Sequence, residues 1–206
     1  MKKEEDIKEQ FKKVLISTVK VISDEYEIED ELKKNSSSKN FNFFEIDNLN
    51  TKNDFIELRA KADSEALKRK FSNKQIYQRN LPKNSSCRSL YDISEKIRYE
   101  LLGSQMLKGI SKNFYENYNY KIKIKRKDQL KTKEDVKVVE AFEIYMLKNF
   151  FNIKLNNLSQ KILSFWENDF KNSLDKHISF LKKNLENQDV YNAKFLQLLQ
   201  DMEIFD

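Results

Sequence analysis

The sequence predicts a mainly α-helical protein. Only 2 glycines and 1 proline occur in 206 residues, so the chain has few of the residues that form tight turns between the strands of a large sheet. Apolar residues recur at three- and four-residue steps along most of the chain, as they do on one face of a helix. Although 35% of the residues are charged, 15 Phe and 9 Tyr can supply a core. We therefore predict a single helical domain over residues 1–206, with about seven helices.

Two apolar stripes predict the first two helices. The stripe between Lys3 and Asp24 consists of Ile7, Phe11, Val14, Leu15, Thr18, Val19 and Ile22. The stripe between Asp54 and Phe71 consists of Phe55, Leu58, Ala62, Ala66, Leu67 and Phe71, and Asn53 or Asp54 can cap the start of this helix. Between these helices the polar, serine-rich segment 32–40 predicts a flexible loop. The alternation that follows it predicts a short extended segment near 41–47.

The longest helical pattern runs from Ser86 to Tyr118 and follows a turn marked by Pro82. It contains two offset stripes, formed by Leu90, Ile93, Ile97 and Leu101 and by Leu102, Met106, Ile110 and Phe114. Two stripes predict one helix that packs on more than one side. The alternation of apolar residues and lysines after it predicts a second short extended segment near 119–125.

The remainder of the chain contains four further helical patterns. Their apolar residues begin with Val136, Leu155, Leu174 and Tyr191, and the last pattern ends at Met202. The chain contains no internal repeat. Each pattern is amphipathic, which is typical of helices that pack around a shared core.

Composition and single residues exclude several classes of site. Cys87 is the only cysteine, so no intrachain disulfide can form, which fits a reducing cytoplasm. No apolar run approaches the roughly 20 residues that cross a bilayer. Gly103 and Gly109 stand alone, so no glycine-rich loop can hold a phosphate. His177 is the only histidine and is interpreted as a surface or interface residue, and Cys87 as a structural residue.

The net charge of +6 leaves an alternative open. The basic, aromatic run from Tyr118 to Lys133 could bind nucleic acid through charge and stacking, although 33 acidic residues are interspersed with 39 basic ones. A solvated edge of the protein is the other interpretation of this run. A nucleic-acid-binding protein would be retained on single-stranded nucleic acid, and its retention would fall steeply with salt.

Charged residues at helical spacing predict ion pairs. Arg59 is four residues before Asp63, and Arg98 is three residues after Glu95. Exposed pairs of this kind contribute about 0.2 to 0.5 kcal/mol each, and we prefer this interpretation to acid–base catalysis. A glycine inside a helix costs about 1 kcal/mol relative to alanine. Gly103 and Gly109 therefore predict close packing or a kink.

The segment from Arg59 to Leu67 resembles the R-G-x-A-D-x-x-A-L segment of CobT proteins, which are cobaltochelatase subunits. A longer match follows, similar to the pattern E-x-x-R-x-E-x-x-G-x-x-M-x-G-x-x-x-N. Its residues in this chain are Glu95, Arg98, Glu100, Gly103, Met106, Gly109 and Asn113. Order and spacing are intact, and weaker similarity extends to Trp166, Gln188 and Tyr191. The resemblance is to the amino-terminal region of the family.

The resemblance implies a non-catalytic subunit of an ATP-dependent cobaltochelatase, which inserts cobalt into a corrin ring in aerobic cobalamin (vitamin B12) biosynthesis. Its implied partners are a CobS-like AAA+ ATPase and a CobN-like large subunit that holds the corrin. ATP, magnesium and cobalt are then used by the complex, and this chain is expected to bind no cofactor. An ATPase-associated adaptor for another client is a further alternative.

The resemblance also implies an interaction network rather than an active site. We expect the helices of residues 54–71 and 86–118 to pack together, and Arg59, Asp63, Glu95, Arg98 and Glu100 to form the network. Its role would be to hold these helices in register or to contact a partner subunit, while Gly103 and Gly109 permit close packing.

The chain departs from the family in ways that bear on metal binding. Where the family has R/K-Y-H-D and a further histidine, this chain has the residues from Lys70 to Asn73 and then Tyr77. Full-length members also carry an acidic linker and a von Willebrand A domain with a metal-binding D-x-S-x-S motif. Nothing in these 206 residues matches that motif, so we expect no metal site in this chain.

Overall fold

A computed structural model describes residues 2–26, 49–123 and 130–202. The α-helices are α1 (Lys2–Ser23), α2 (Lys52–Phe71), α3 (Lys74–Arg79), α4 (Ser85–Met106), α5 (Lys108–Ile122), α6 (Val138–Phe150), α7 (Asn157–Ser164), α8 (Glu167–Leu174), α9 (Ile178–Lys183) and α10 (Gln188–Gln200). Short 3-10 turns span Lys133–Asp135 and Asp175–His177. These residues contain no β-strand, so the predicted mainly α class is confirmed.

The chain divides into two compact units, Met1–Lys70 and Phe71–Asp206, and each is described by itself. The single domain predicted over 1–206 stays a prediction, as does the packing of α2 against α4. The loop predicted at 32–40 and the extended segment predicted near 41–47 lie outside the described residues. None of the described helices is long and apolar enough to cross a membrane.

In the first unit, α1 and α2 are joined by aromatic and charged contacts. The rings of Phe11 and Phe55 meet edge to face with their centroids 5.0 Å apart. Near the helix ends, Arg69 pairs with Glu25 at 2.7 Å. The buried face of α1 is narrower than predicted, because Ile7 and Val14 are exposed.

The start of α2 differs from the predicted cap. The Thr51 Oγ1 accepts a hydrogen bond from the Asp54 backbone N–H at 3.3 Å, and Asp54 Oδ2 accepts one from the Thr51 backbone N–H at 2.7 Å. These backbone hydrogen bonds lower the pKa of Asp54 below its usual value, because they stabilise the carboxylate. Thr51 and Asp54 together therefore satisfy N–H groups at the helix start, and Asn53 is not the cap.

In the second unit, α4 is the central helix and packs against α5, α6 and α10. Asn84 caps its start by accepting a hydrogen bond from the Ser86 backbone N–H at 2.8 Å. An aromatic core lies between α6, α8 and α10. The ring centroid of Phe142 on α6 is 5.5 Å from that of Phe170 on α8 and 6.0 Å from that of Phe195 on α10. All three rings are fully buried.

The single long helix predicted from Ser86 to Tyr118 is wrong, because the chain breaks it into α4 and α5 at Leu107. The backbone of Leu107 is extended, with φ −131° and ψ 108°. The first stripe lies entirely within α4, whereas the second crosses the break from α4 into α5, and its residue Met106 is exposed. The break lies between Gly103 and Gly109, the two glycines that predicted close packing or a kink.

The extended segment predicted near 119–125 is wrong as far as Ile122, where α5 ends. Phe114, Tyr118 and Ile122 are each four residues apart and all are buried. The helical spacing of these larger side chains therefore prevails over the two-residue alternation that begins at Tyr120. Residues 124–129 lie outside the described part of the chain.

The helices after residue 130 are shorter than predicted. The pattern beginning with Val136 starts with a 3-10 turn before α6, and the next pattern divides into α7 and α8 around Trp166. The Trp166 Nε1 donates a hydrogen bond to the Val136 carbonyl at 3.0 Å, so the break places the indole against the earlier turn. The pattern beginning with Leu174 divides in the same way at Asp175–His177.

Candidate interaction site

A buried ion pair between Glu95 and Arg98 lies on α4. The guanidinium Nε donates to Glu95 Oε2 at 2.8 Å, and Nη2 donates to Glu95 Oε1 at 2.9 Å. The predicted pair is therefore present, and it is buried, since the Arg98 side chain is 0% and the Glu95 side chain 4% accessible. A bidentate ion pair of this kind fixes the orientation of both side chains.

The pair is the centre of a larger group, the Arg98 cluster, which consists of Arg98, Glu95, Ser72 and Gln188. Ser72 Oγ and Gln188 Nε2 donate to Glu95 Oε1 at 2.6 Å and 3.0 Å. Gln188 Oε1 also accepts the Asn73 backbone N–H at 2.7 Å. The cluster thus joins the residues after α2, the middle of α4 and the first residue of α10.

Backbone carbonyls complete the surroundings of Arg98. Nη1 donates to the Leu185 carbonyl at 2.7 Å, and Nη2 donates to the Phe71 carbonyl at 2.6 Å. Phe71 is the last residue of α2, and Leu185 lies two residues after the end of α9. Carbonyl groups at helix ends lack partners within their own helix, so both can accept from Arg98. Because Arg98 is neutralised by Glu95 and its N–H groups are directed at protein oxygens, it is a structural connector rather than a binding site for an anion.

Glu100 takes part in a second buried contact, between α4 and α5. Its side chain is 1% accessible, and the hydroxyl of Tyr118 donates a hydrogen bond to Oε2. The ammonium of Lys96 lies 3.9 Å from Oε1. Burial and the nearby Glu100 carboxylate raise the pKa of Tyr118 well above its usual value, so Tyr118 stays protonated and holds the carboxylate.

Arg59 and Asp63 lie on α2 with different exposure. Asp63 is buried with 2% accessibility, whereas Arg59 is exposed. The network predicted to join these two residues to α4 stays a prediction. Within α4 the structure brings Glu95 and Arg98 into direct contact, and Glu100 lies two residues after Arg98 on the same helix.

The remaining predicted residues surround the turn between α4 and α5. Gly103 is buried in the last turn of α4, whereas Met106 is 58% exposed and Asn113 is partly buried. Gly109 is exposed, and a Cβ atom built on it would meet nothing within 4 Å. Open space therefore lies beside Gly109 within the chain, and close packing there stays a prediction about a partner. The kink that was the other expectation agrees with the break at Leu107, between the two glycines.

The residues at the family's histidine positions perform structural roles. Ser72 belongs to the Arg98 cluster, and Asn73 caps α3 by accepting the Gln75 backbone N–H at 2.8 Å. Tyr77 donates a hydrogen bond to Asp92 on α4. Among the described residues, no group of three or more histidine, cysteine, aspartate and glutamate side chains is arranged to hold a metal ion.

Cys87 and His177, the single cysteine and the single histidine of the chain, are the side chains considered for nucleophilic or metal chemistry in the sequence. Burial raises the pKa of Cys87 and so opposes formation of the nucleophilic thiolate. Burial is also the largest cause of a lowered pKa at His177, which lies partly buried in the 3-10 turn before α9. The burial of Cys87 agrees with its structural interpretation, and the partial exposure of His177 agrees with its interpretation as a surface or interface residue.

The burial of Tyr118 weakens the nucleic-acid alternative. Its ring is 1% accessible and cannot stack on a base, and its hydroxyl is occupied by Glu100. Tyr120 is 36% exposed and is the more accessible of these two aromatic residues. The described part of the basic run therefore lacks one of the stacking surfaces on which that interpretation depended.

Sequence reasoning did not assign Ser72 to the site, and it noted Gln188 only as a family-like position. Both are polar residues beside helix ends, where capping is the ordinary expectation. The family-like position of Gln188 was its one signal, because the sequence does not show that this glutamine is buried and so needs partners for both its amide and its carbonyl group. Only the fold shows that Glu95 and Asn73 supply those partners.

Fold and site together define a helical protein whose buried charged groups join its own helices. A profile of the family described as Cobalamin biosynthesis protein CobT matches residues 5–206. The chain therefore belongs to the CobT family, as the resemblance implied, and its role lies in cobalamin biosynthesis. Membership implies work within a multi-subunit complex. No solved structure is significantly similar to the chain.

Proposed function

We propose that this chain is a non-catalytic assembly subunit of an ATP-dependent cobaltochelatase that inserts cobalt into a corrin ring. It works with a CobS-like AAA+ ATPase and a CobN-like large subunit in a cytoplasmic hetero-oligomer. The observation that carries the proposal is the family match, which extends over residues 5–206.

The structure of the site supports a role in assembly. Glu95, Arg98 and Glu100 are buried and satisfied within the chain, whereas Met106 and Gly109 are exposed at the turn between two well-packed helices. In this proposal the buried residues keep the helices in place and the exposed ones are free to meet another subunit. ATP, magnesium, cobalt and the corrin are handled by the other subunits.

Reconstitution tests this division of labour. The purified chain is mixed with the CobS-like and CobN-like proteins of the same organism, with and without ATP, and analysed by size-exclusion chromatography. We expect it to co-elute with the ATPase and to be required for cobalt insertion into the corrin. The mixture without the chain is the control for insertion.

Two results would contradict the proposal. Failure to associate with either protein in any nucleotide state would remove the assembly role. ATP hydrolysis by the chain alone, at a rate comparable with that of the complete mixture, would show that it carries an active site after all.

A further inference from the structure

Five consecutive exposed residues, 105–109, form the turn between α4 and α5. They include two large apolar side chains, Met106 at 58% and Leu107 at 48% exposure. On both sides of the turn the chain is well buried, at Leu102 and at Ile110. We call residues 105–109 the apolar corner. Other exposed apolar side chains, such as Val14 and Phe180, stand singly in the sequence, whereas Met106 and Leu107 are adjacent.

The residues of the apolar corner are poor choices for the local backbone. Leu107 is the N-cap residue of α5 and makes no side-chain hydrogen bond there, whereas α4 is capped by Asn84. Leucine is among the weakest N-cap residues, and serine or asparagine would satisfy the free N–H groups. Gly109, in the first turn of α5, also weakens the helix.

No contact in the described part of the chain compensates for these choices. Gly109 has open space where a Cβ would lie, and the side chains of Met106 and Leu107 are about half exposed. Residues that are unfavourable for the local backbone and gain no packing in return are characteristic of functional positions. The gain is therefore expected in a bound state, where an exposed leucine can be buried and a glycine lets another backbone approach closely.

The charge around the corner indicates the chemistry of the partner. Lys108 and Lys112 are both exposed, and no acidic residue occurs between Leu101 and Tyr115. The nearest acidic group along α5 is Glu116, whose carboxylate is 3.9 Å from the Lys112 ammonium. An apolar projection with a basic border fits an apolar pocket with an acidic rim.

We propose that the apolar corner inserts Met106 and Leu107 into an apolar, acid-rimmed pocket on the CobS-like ATPase, the subunit with which the chain is expected to co-elute. An effect of Leu107→Ser on binding to the CobN-like subunit alone would contradict this assignment. This inference rests on the proposed function and assigns its docking surface. Met106 and Leu107 are the anchors, Lys108 and Lys112 steer the encounter, and Gly109 allows close approach.

The substitution Leu107→Ser separates binding from stability, because the two are expected to move in opposite directions. Serine keeps the charge unchanged and supplies the missing cap, so Tm should rise by about 2 to 4 °C. Loss of a central apolar anchor should raise the Kd for the partner subunit by about tenfold or more. Calorimetry measures the Tm, and titration against each purified subunit measures the Kd.

Two further variants complete the experiment. Phe180→Ser is the matched control, since Phe180 on α9 is 42% exposed, and its Kd should stay within about twofold of the original value. The double variant K108E/K112E should weaken binding more at low salt than at high salt, because steering charges are screened by salt.

The outcomes distinguish this inference from the proposed function. If the original chain binds neither subunit, both fail. If it binds and Leu107→Ser raises the Tm but leaves the Kd unchanged, the docking surface is wrong and the assembly role stands. If the original chain self-associates and Leu107→Ser does not, the corner binds a second copy and the assigned partner is wrong.

Discussion

Arg98 holds a positive charge in a fully buried position, which makes it sensitive to the loss of a single partner. Its attraction to Glu95 offsets the cost of burying two charges only while both are present and hydrogen-bonded. The Leu185 and Phe71 carbonyls add contacts that a shorter or uncharged side chain cannot make. At the scale of the residue, the site therefore depends on complete pairing.

The substitution Arg98→Met should lower the free energy of unfolding by about 3 to 5 kcal/mol, because it leaves the Glu95 carboxylate buried without its cation. Urea denaturation followed by the fluorescence of Trp166, the single tryptophan, measures the change. Arg79→Met is the matched control, since Arg79 pairs with Asp189 at the surface, where the side chains are 63% and 48% accessible. It should cost less than about 1 kcal/mol, and equal losses in the two variants would contradict the structural role of Arg98.

The sequence predicted the Glu95–Arg98 pair but not its surroundings. Three-residue spacing along a helix brings the two side chains together whatever lies around them. Their burial depends on Gln188 and Leu185, about ninety positions further along the chain. No local pattern contains that information, because it arises from the packing of α10 on α4.

At the scale of the element, helix starts differed in how well they could be predicted. Asn84 lies directly before a long apolar pattern and caps α4 as such residues usually do. The residue at which α5 starts was not predicted, because apolar residues continue at helical spacing from Met106 to Ile110 across the break. Breaks around Trp166 and Asp175 were missed for the same reason, since apolar spacing continues through them.

The substitution Asn84→Ala should lower the free energy of unfolding by about 1 kcal/mol, because it removes the acceptor for the Ser86 backbone N–H. Lys83→Ala, at the neighbouring exposed position, should change it by less than about 0.5 kcal/mol. Thermal unfolding followed by circular dichroism measures both. An Asn84→Ala variant as stable as Lys83→Ala would show that the cap contributes nothing.

At the scale of the whole molecule, tyrosine hydroxyls link separate elements to carboxylates. Tyr118 on α5 donates to Glu100 on α4, and Tyr145 on α6 donates to Asp175 in the turn after α8. Burial and then the neighbouring carboxylate raise the pKa of both tyrosines. Burial is also the largest cause of the raised pKa of Tyr191, whose hydroxyl accepts a hydrogen bond from Ser94 Oγ.

These shifts predict that the protein loses stability in alkali. The folded pKa lies above the unfolded value of about 10, so the stability that the tyrosines contribute is complete below pH 10 and is lost as the pH rises further. Tyrosinate absorbance should therefore increase together with the loss of helical circular dichroism. Full ionisation near pH 10 with the helices intact would contradict the prediction.

Tyr118→Phe serves as the control for this alkaline transition. The variant should be less stable at neutral pH, because Glu100 loses its donor. Above pH 10 its stability should fall less steeply with pH than that of the original chain, since one raised pKa has been removed.

The Arg98 cluster also has a consequence for how the protein is made. The Asn73–Gln188 hydrogen bond spans 115 positions, and that between Arg98 and the Leu185 carbonyl spans 87. At ribosomal speeds, Gln188 is added on the order of ten seconds after Asn73. Throughout that interval the guanidinium must remain hydrated, so α4 cannot reach its final environment before almost the entire polypeptide has emerged. Truncated products that end before Leu185 are therefore expected to stay open and to be degraded.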